Sequence, residues 1–374
     1  MKKIAIITEL FESTNYGGVL QAYALCRAIE QMGYVVKQIP YYEGFSEDKE
    51  SIIDRTDINV KAMIVRRIRA VLDRRLQIKF EKFREFRECT IPCENKVYDD
   101  SSLVELIDFY DVFITGSDQV WNPDFFRKGY LLSFLPSNYV KLSYAASLGC
   151  SSLTDKQKSV FLENINDYRA ISVREQEAVD LLQPLTNTPV ELVLDPIFLL
   201  NKKEWGKIES NRKIDGKYIF VYFLGSSKEQ RNLVKKFSKK KRMKIVFMPY
   251  TLDFFRKCDA FFGDIRLFDV SPKEFISLIR NAEYVFTDSF HASAFSIMYH
   301  RQFFAFGRNS FGNTESRISN LTKLFECQEH FCDDNNKMQL TYIESLPQIV
   351  YKNRYDKFEK LKEKSLEYLI RNIT

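Results

Sequence analysis

Two series of short apolar runs, separated by a polar stretch, constrain this chain more than any other feature. The first series lies at 4–8, 35–40, 112–115, 142–146, 170–173 and 191–194. Each run is dense in β-branched and aromatic residues and is continuously apolar rather than alternating. That is how strands read when both faces of a parallel sheet are covered. Helix-period apolar residues fill 19–32 and 175–182 between the runs, so the order is βαβα and predicts a doubly wound domain. The pattern then stops at NKKEWGKIESNRKIDGK, residues 201–217. A second series follows at 218–224, 244–248, 265–268, 284–287 and 303–306, with helical segments at 228–239, 272–281 and 292–299. The chain therefore reads as α/β, with two Rossmann-like parallel-sheet domains over 1–205 and 206–350, and a helix in 351–374 that packs back on the first. At roughly 150 residues per domain, 374 residues suit this division.

Composition narrows the class. Hydrophobic residues at 45% and charged residues at 28% exclude collagen-like, disordered and polytopic membrane chains. An aromatic share of 14% suggests aromatic cores and ring-lined clefts suited to sugars. A net charge of +6 favours anionic small molecules or a membrane surface over nucleic acid, which calls for a clustered basic stripe. The seven cysteines form no C-x-x-C pair and read as reduced thiols. The run Ile4-Ala5-Ile6-Ile7 ends at Thr8-Glu9, too short for a signal peptide, and no segment reaches the ~18 apolar residues of a spanning helix. A cytoplasmic protein is expected. Residues 60–88 stand apart as an arginine-rich insertion with helix-spaced Met63, Ile64, Ile68, Leu72, Phe80 and Phe83. Its basic face has two readings: a solvated helix covering the sheet, or peripheral contact with anionic lipid at the inner face of the membrane.

Several constellations can carry chemistry. After the first strand, Asn15-Tyr16-Gly17-Gly18 opens a helix; paired glycines let backbone approach a ligand, and the helix N-terminus favours anions or hydroxyl-rich groups. G-x-G-x-x-G is absent, so it is no dinucleotide fingerprint. At another strand end, Thr115-Gly116-Ser117-Asp118-Gln119-Val120-Trp121-Asn122-Pro123 places Asp118, Gln119 and Asn122 to hold sugar hydroxyls, with Trp121 as a stacking face. A plain Asx-turn with a buried tryptophan is the competing reading. Only three histidines exist, without the H-x-H or H-E-x-x-H spacing of metal pairs. Of these, His291 falls where a strand gives way to a helix in Thr287-Asp288-Ser289-Phe290-His291, a position from which an imidazole can face a cleft. His300, beside Arg301, reads as a helix-end charge and His330 as a loop residue. Arg174, Arg308 and Arg317 follow strands or lie near them; several guanidinium forks on one cleft imply a small polyanion.

In order along the chain, Asn15 to Ala22, Gly116 to Pro123, Ser143 to Gly149, Ile171 to Glu175, Leu194-Asp195-Pro196, Thr287 to His291 and Ser316-Arg317-Ile318 resemble the polysaccharide pyruvyl transferase family. The resemblance implies a GT-B-like arrangement with the active site in the interdomain cleft, the first domain on the acceptor side and the second on the donor side. It implies transfer of pyruvate from phosphoenolpyruvate to a sugar as a ketal, without metal or organic cofactor. The implied partners are phosphoenolpyruvate and a saccharide acceptor, free or lipid-linked, of a cell-envelope or capsular polysaccharide. His291, Arg174 and, less directly, Arg317 match the family's placements. Some members have arginine where this chain has Ser289, so Arg308 or Arg317 must complete the anion clamp beside Ser289. Independently, phosphoenolpyruvate needs arginines for its two anionic groups and an acid such as His291 to protonate C3, with Asp118 or Asp288 as base. Asn15, Tyr16, Gly17, Gly18, Gln119, Trp121 and Asn122 are the expected acceptor contacts. Two rivals share the architecture: a nucleotide-sugar glycosyltransferase and a non-catalytic glycan-binding protein of polysaccharide assembly.

Overall fold

The computed structural model describes residues 1–42, 60–210, 212–251, 256–308, 314–333, 337–352 and 355–374, with side chains described outside 60–73, 314–316 and 355–356. In the first half, β1 (Lys3–Ile7), β2 (Val35–Gln38), β3 (Val112–Thr115) and β4 (Val140–Ser143) form a parallel sheet of order β2-β1-β3-β4. Bridges Leu142↔Ala170 and Ala146↔Val173 extend it to the pair β5 (Ile171–Val173) and β6 (Val190–Leu192). In the second half, β7 (Tyr218–Tyr222), β8 (Lys244–Met248), β9 (Ile265–Arg266), β10 (Tyr284–Thr287), β11 (Gln302–Phe306) and β12 (Phe331–Cys332) run parallel in the order β12-β11-β10-β7-β8-β9. The continuous apolar runs are thus explained: Val112–Thr115 and Tyr218–Tyr222 are buried at every position. In each sheet the strand order reverses once, between β1 and β3 and between β7 and β10. Ligands of α/β sheets bind beyond the carboxyl ends of strands at such a reversal.

Helices join the two halves. Helix α1 (Tyr16–Gln31) begins where Asn15 caps the Gly17 N–H at 3.1 Å, and it packs on α7 (Pro272–Arg280) and α8 (Phe290–Met298) of the second half. One apolar cluster runs through both halves, including Leu20, Ala24, Phe275 and Phe295. Within the lysine-rich stretch expected to be a linker, Lys202–Gly206 forms a short helix. Its Trp205 is buried and donates to Ile197 O at 3.1 Å. The stretch therefore seals the seam. The C-terminal helix Tyr355–Ile373 lies on the first half, where Tyr368 donates to Ser143 O at 2.8 Å and Ser365 accepts from Leu194 N at 3.0 Å.

Helix α2 (Val60–Thr90) contains the basic insertion, and its described part turns inward. Phe83 and Phe86 are in the core, and Lys82 reaches Asp269 O and Glu274 of the other half, both at 2.9 Å. Arg87 donates to Ser13 O at 2.6 Å, and Lys79 is buried against Thr251 at 3.0 Å and over the rings of Tyr16 and Phe83. Lys79 and Lys82 thus reach the second half and Arg87 the loop after β1, while Arg74, Arg75 and Arg84 are exposed; the N-terminal side chains of this helix lie outside the described residues. Among the described residues no helix is long and apolar enough to cross a membrane.

Candidate functional site

The segments that follow β3, β5, β6 and β10 bring their side chains to one buried cluster. Arg174, immediately after β5, donates from Nη1 to Asp195 at 2.8 Å and from Nη2 to Asp118 at 3.1 Å, with its guanidinium over the Phe290 ring at 4.5 Å. Asp118 follows β3 in a left-handed conformation, φ 69°, and Asp195 precedes the 3₁₀ turn Pro196–Leu199, where its Oδ1 accepts from Ile197 N at 3.0 Å. The next carboxylate, Glu175, is clamped by Ser147 Oγ and Leu148 N, both at 2.8 Å, and by Gly149 N at 3.3 Å; its Oε2 stands 3.7 Å from Arg174 Nε. From the second half comes His291, in the first turn of α8, with Nε2 3.7 Å from Asp195 Oδ2.

Gly17 is what lets the two halves come this close. A Cβ there would lie 1.8 Å from His291 Nδ1, so only glycine allows the imidazole to lie against the start of α1. The neighbouring Gly18 would bring its Cβ within 3.5 Å of Asp118 Oδ2. One imidazole, one carboxylate and the amino end of a long helix are thus brought together by two consecutive glycines.

The electrostatics follow from these contacts. Burial raises the Asp195 carboxyl, but His291, Arg174 and the Ile197 N–H outweigh it and hold it down at about 2. Asp118 is likewise lowered, burial being outweighed by Arg174, His291 and Arg317. Arg317, in α9 (Thr314–Leu324), is buried and pushed down to about 10 by desolvation, with Arg174 and Arg308 adding to the effect. No hydrogen-bond or ion-pair partner serves Arg317 or Arg308 among the described residues, and the Nε of each is buried and unpaired. At the cleft mouth Glu9 is raised by desolvation and by the Asp118 charge, with Arg127 opposing. Among the described residues no three His, Cys, Asp or Glu side chains gather as a metal site.

The family model for polysaccharide pyruvyl transferases matches residues 15–310. The chain belongs to the polysaccharide pyruvyl transferase family. No curated protein sequence matches it. Among solved structures it is similar to the UDP-GlcNAc 2-epimerase of Methanocaldococcus jannaschii, with TM-score 0.55 and 12% identity over 96% of this chain and 99% of that one. A second is MnaA of S. aureus, solved with UDP, with TM-score 0.50 and 12% identity over 98% and 91%. At this identity the likeness concerns the fold alone, which is GT-B-like: two Rossmann-like parallel-sheet units.

Within this family member, the structure sorts the residues singled out from sequence. It brings together His291, Asp118, Arg174 and Arg317 with Gly17 and Gly18, and sets Arg308 beside Gly225 near Asp288. Others have different occupations. Trp121 is fully buried, donates to Tyr130 O at 3.1 Å and packs on Phe161 and Tyr168, so it offers no stacking face. Tyr16 is buried in the seam with its hydroxyl on Val270 O at 2.8 Å. Asp288 accepts from Leu224 N and Gly225 N, both at 2.6 Å, and so braces the loop after β7; burial raises its carboxyl, with Arg308 and these two N–H groups opposing. Ser289 caps α8 through Ala292 N, Asn15 caps α1, and Asn122 Oδ1 accepts from Asp124 N at 3.0 Å. Gln119 is half-buried with its amide against Gly149. Most consequential, Arg174 gives Nη1 to Asp195 and Nη2 to Asp118, while its Nε is buried without a hydrogen-bond partner, so in this structure two of its three nitrogens hold carboxylates rather than face an open cleft.

Sequence reasoning passed over Asp195 and Glu175 as site residues. Both stood inside matched segments, Leu194-Asp195-Pro196 and Ile171 to Glu175. A signal was available: an acid directly after a buried apolar strand must be paired, because an isolated buried charge is expensive. His300 also differs from expectation. Burial, with Lys202 and Arg301, pushes its imidazole down to about 4, so it is a neutral ring stacked on Tyr351 at 4.8 Å rather than a helix-end charge. His330 is buried with Nδ1 3.1 Å from Phe303 O.

Proposed function

We propose that the protein transfers pyruvate from phosphoenolpyruvate to two hydroxyls of a saccharide, forming a ketal and releasing phosphate. Family membership supports the reaction class. The observation that carries the donor is the pair Arg308 and Arg317: two cations without acidic partners among the described residues, felt by Asp288 and Asp118 respectively. Buried guanidinium without a carboxylate is costly in the free protein and is relieved by an anion with two charged ends.

In this reading Arg317 and Arg308 hold the donor's carboxylate and phosphate. His291 gives a proton to the methylene C3, which makes C2 electrophilic. A sugar hydroxyl adds to C2, the C2–O bond to phosphate breaks, and a second hydroxyl adds in its place. Of the two hydroxyl protons, one is carried by the product's methyl group once His291 is recharged, and the other leaves with hydrogen phosphate. Asp118, held ionised next to Gly18, accepts the proton of an attacking hydroxyl. The α1 amino end favours an anionic ligand. Cytoplasmic precursor saccharides, free or lipid-linked, are the acceptor class.

The test is incubation with phosphoenolpyruvate and a panel of saccharides, reading phosphate release and the mass gain of a ketal. Stabilisation by uridine diphosphate with none by phosphoenolpyruvate replaces this reading with nucleotide-sugar transfer. Binding of saccharide with neither donor recognised replaces it with a glycan-binding role.

A further inference from the structure

The surroundings of His291 contain more than the proposed reaction uses. Its Nε2 is buried and has no hydrogen-bond partner, yet a carboxylate oxygen, Asp195 Oδ2, lies 3.7 Å away. That carboxylate is fixed on every side. Oδ2 accepts from Arg174 Nη1 at 2.8 Å and from Ser117 Oγ at 3.4 Å, and Oδ1 from Ile197 N at 3.0 Å. The residue is 2% exposed and is followed by a proline turn, so it cannot swing away. Asp118, the other carboxylate near the ring, has no oxygen within 4.0 Å of either ring nitrogen.

Three carboxylates, Asp118, Asp195 and Glu175, enter this buried cluster beside the guanidinium groups of Arg174 and Arg317. The ring has two inequivalent edges: Nε2 faces the fixed carboxylate, while Nδ1 lies against the Cα of Gly17 at the mouth of α1.

We propose that Asp195 is the positioning residue for His291, holding the imidazolium through Nε2–H so that Nδ1 is the nitrogen that delivers its proton to the substrate. This rests on the reading of His291 as the acid. The gap of 3.7 Å closes to a hydrogen bond when a donor presses the ring toward Asp195, as catalytic contacts commonly tighten on loading. Asp195 itself takes no proton. After transfer the ring is the neutral Nε2–H tautomer, and Nδ1 is recharged by a proton released from the attacking hydroxyls. Through Arg174 the same carboxylate is tied to Asp118, so acid and base are set at a fixed separation by one guanidinium.

The native full-length protein, labelled with ¹⁵N-histidine, tests this without any substrate. With three histidines in the chain, His300→Gln and His330→Gln assign the His291 signals. On raising the pH, Nδ1 should lose the proton and Nε2 keep it; loss from Nε2 overturns the proposal. In Asp195→Asn the His291 titration midpoint should fall by about one pH unit or more. With phosphoenolpyruvate, kcat of that variant should fall about 10²-fold or more at a donor KM within about threefold, and the alkaline limb of activity should move to lower pH. An unmoved midpoint or native kcat reduces Asp195 to an anchor for Arg174. If Asp195→Asn does not fold, the tautomer measured in the native chain still decides. Failure of the donor reading is seen separately, as absence of turnover with phosphoenolpyruvate in a native protein whose His291 tautomer is as proposed.

Discussion

Replacing Gly17 by alanine adds one methyl group at the tightest point of the cleft. The new carbon would sit 1.8 Å from His291 Nδ1, 2.1 Å from Cγ and 2.6 Å from Cε1. Carbon atoms in contact prefer about 3.5 to 4.0 Å, so the imidazole has to retreat by roughly 1.5 to 2 Å. Only 6% of the residue is exposed, with Phe290 edge-on at 5.2 Å and Asp195 behind the ring, so the retreat takes Nδ1 off its line to the substrate. A misplacement of about 1 Å in a catalytic group lowers rate about 10²-fold, so kcat for phosphate release should fall by at least that factor. Stability should fall by about 3 kcal/mol at most. Overpacking costs about 1 to 3 kcal/mol, and alanine in place of glycine returns up to about 1 kcal/mol of helix propensity. Gly18→Ala is the steric comparison: its Cβ meets nothing closer than 3.5 Å, so it should impair kcat less than Gly17→Ala does. Stopped assays of phosphate release beside thermal melts read both quantities. A Gly17→Ala enzyme with native kcat, or two variants equally impaired, refutes the placement of His291 over this helix.

The other expectations concern residues whose occupations the structure sorts. Arg317→Lys should keep the fold and weaken phosphoenolpyruvate binding at least about 10-fold in calorimetric titration, because a point charge cannot reproduce a two-pronged fork. Arg174→Met should instead unfold at lower denaturant, by about 3 to 5 kcal/mol, since it leaves Asp118 and Asp195 buried without their cation. Trp121→Phe should lower stability by about 1 to 3 kcal/mol through the lost bond to Tyr130 O and the lost packing, while the saccharide KM stays native. Lys79 titrates at about 8 because burial opposes its charge; folding therefore releases its proton more easily, and its penalty is full below pH 8 and fades as pH rises toward about 10.5. Lys79→Met should accordingly raise the free energy of unfolding in urea at pH 7 by about 3 kcal/mol at most, with the gain shrinking between pH 8 and about 10.5.

The sequence by itself determined the elements and the ends at which chemistry sits. Strands such as Val112–Thr115 and Tyr284–Thr287 were legible because a strand covered on both faces must be apolar at every position, a constraint that acts within four residues. Polar motifs directly after such strands marked the cleft, since the carboxyl ends of parallel strands are where backbone leaves the sheet. The short helix at Lys202–Gly206 carried a local signal, the capping box of Asn201 and Glu204, that the lysine-rich composition hid, whereas the two-residue β12 was not legible because it is held by β11 rather than by local pattern. What only the tertiary structure decided is which polar groups are spent and which are free. Arg174 and Arg317 read alike in sequence, yet Arg174 is tied to Asp118, 56 positions away, and to Asp195, 21 away, while Arg317 meets no carboxylate among the described residues. Trp121 read as a stacking face until burial claimed it, and Asp288, read as a candidate base, is bound by the backbone N–H groups of another loop. Gly17 acquires its meaning only from His291, which arrives from the other domain. Burial and partnership are properties of segments brought together from afar, and they, more than residue type, set whether a charge holds the protein or waits for a ligand.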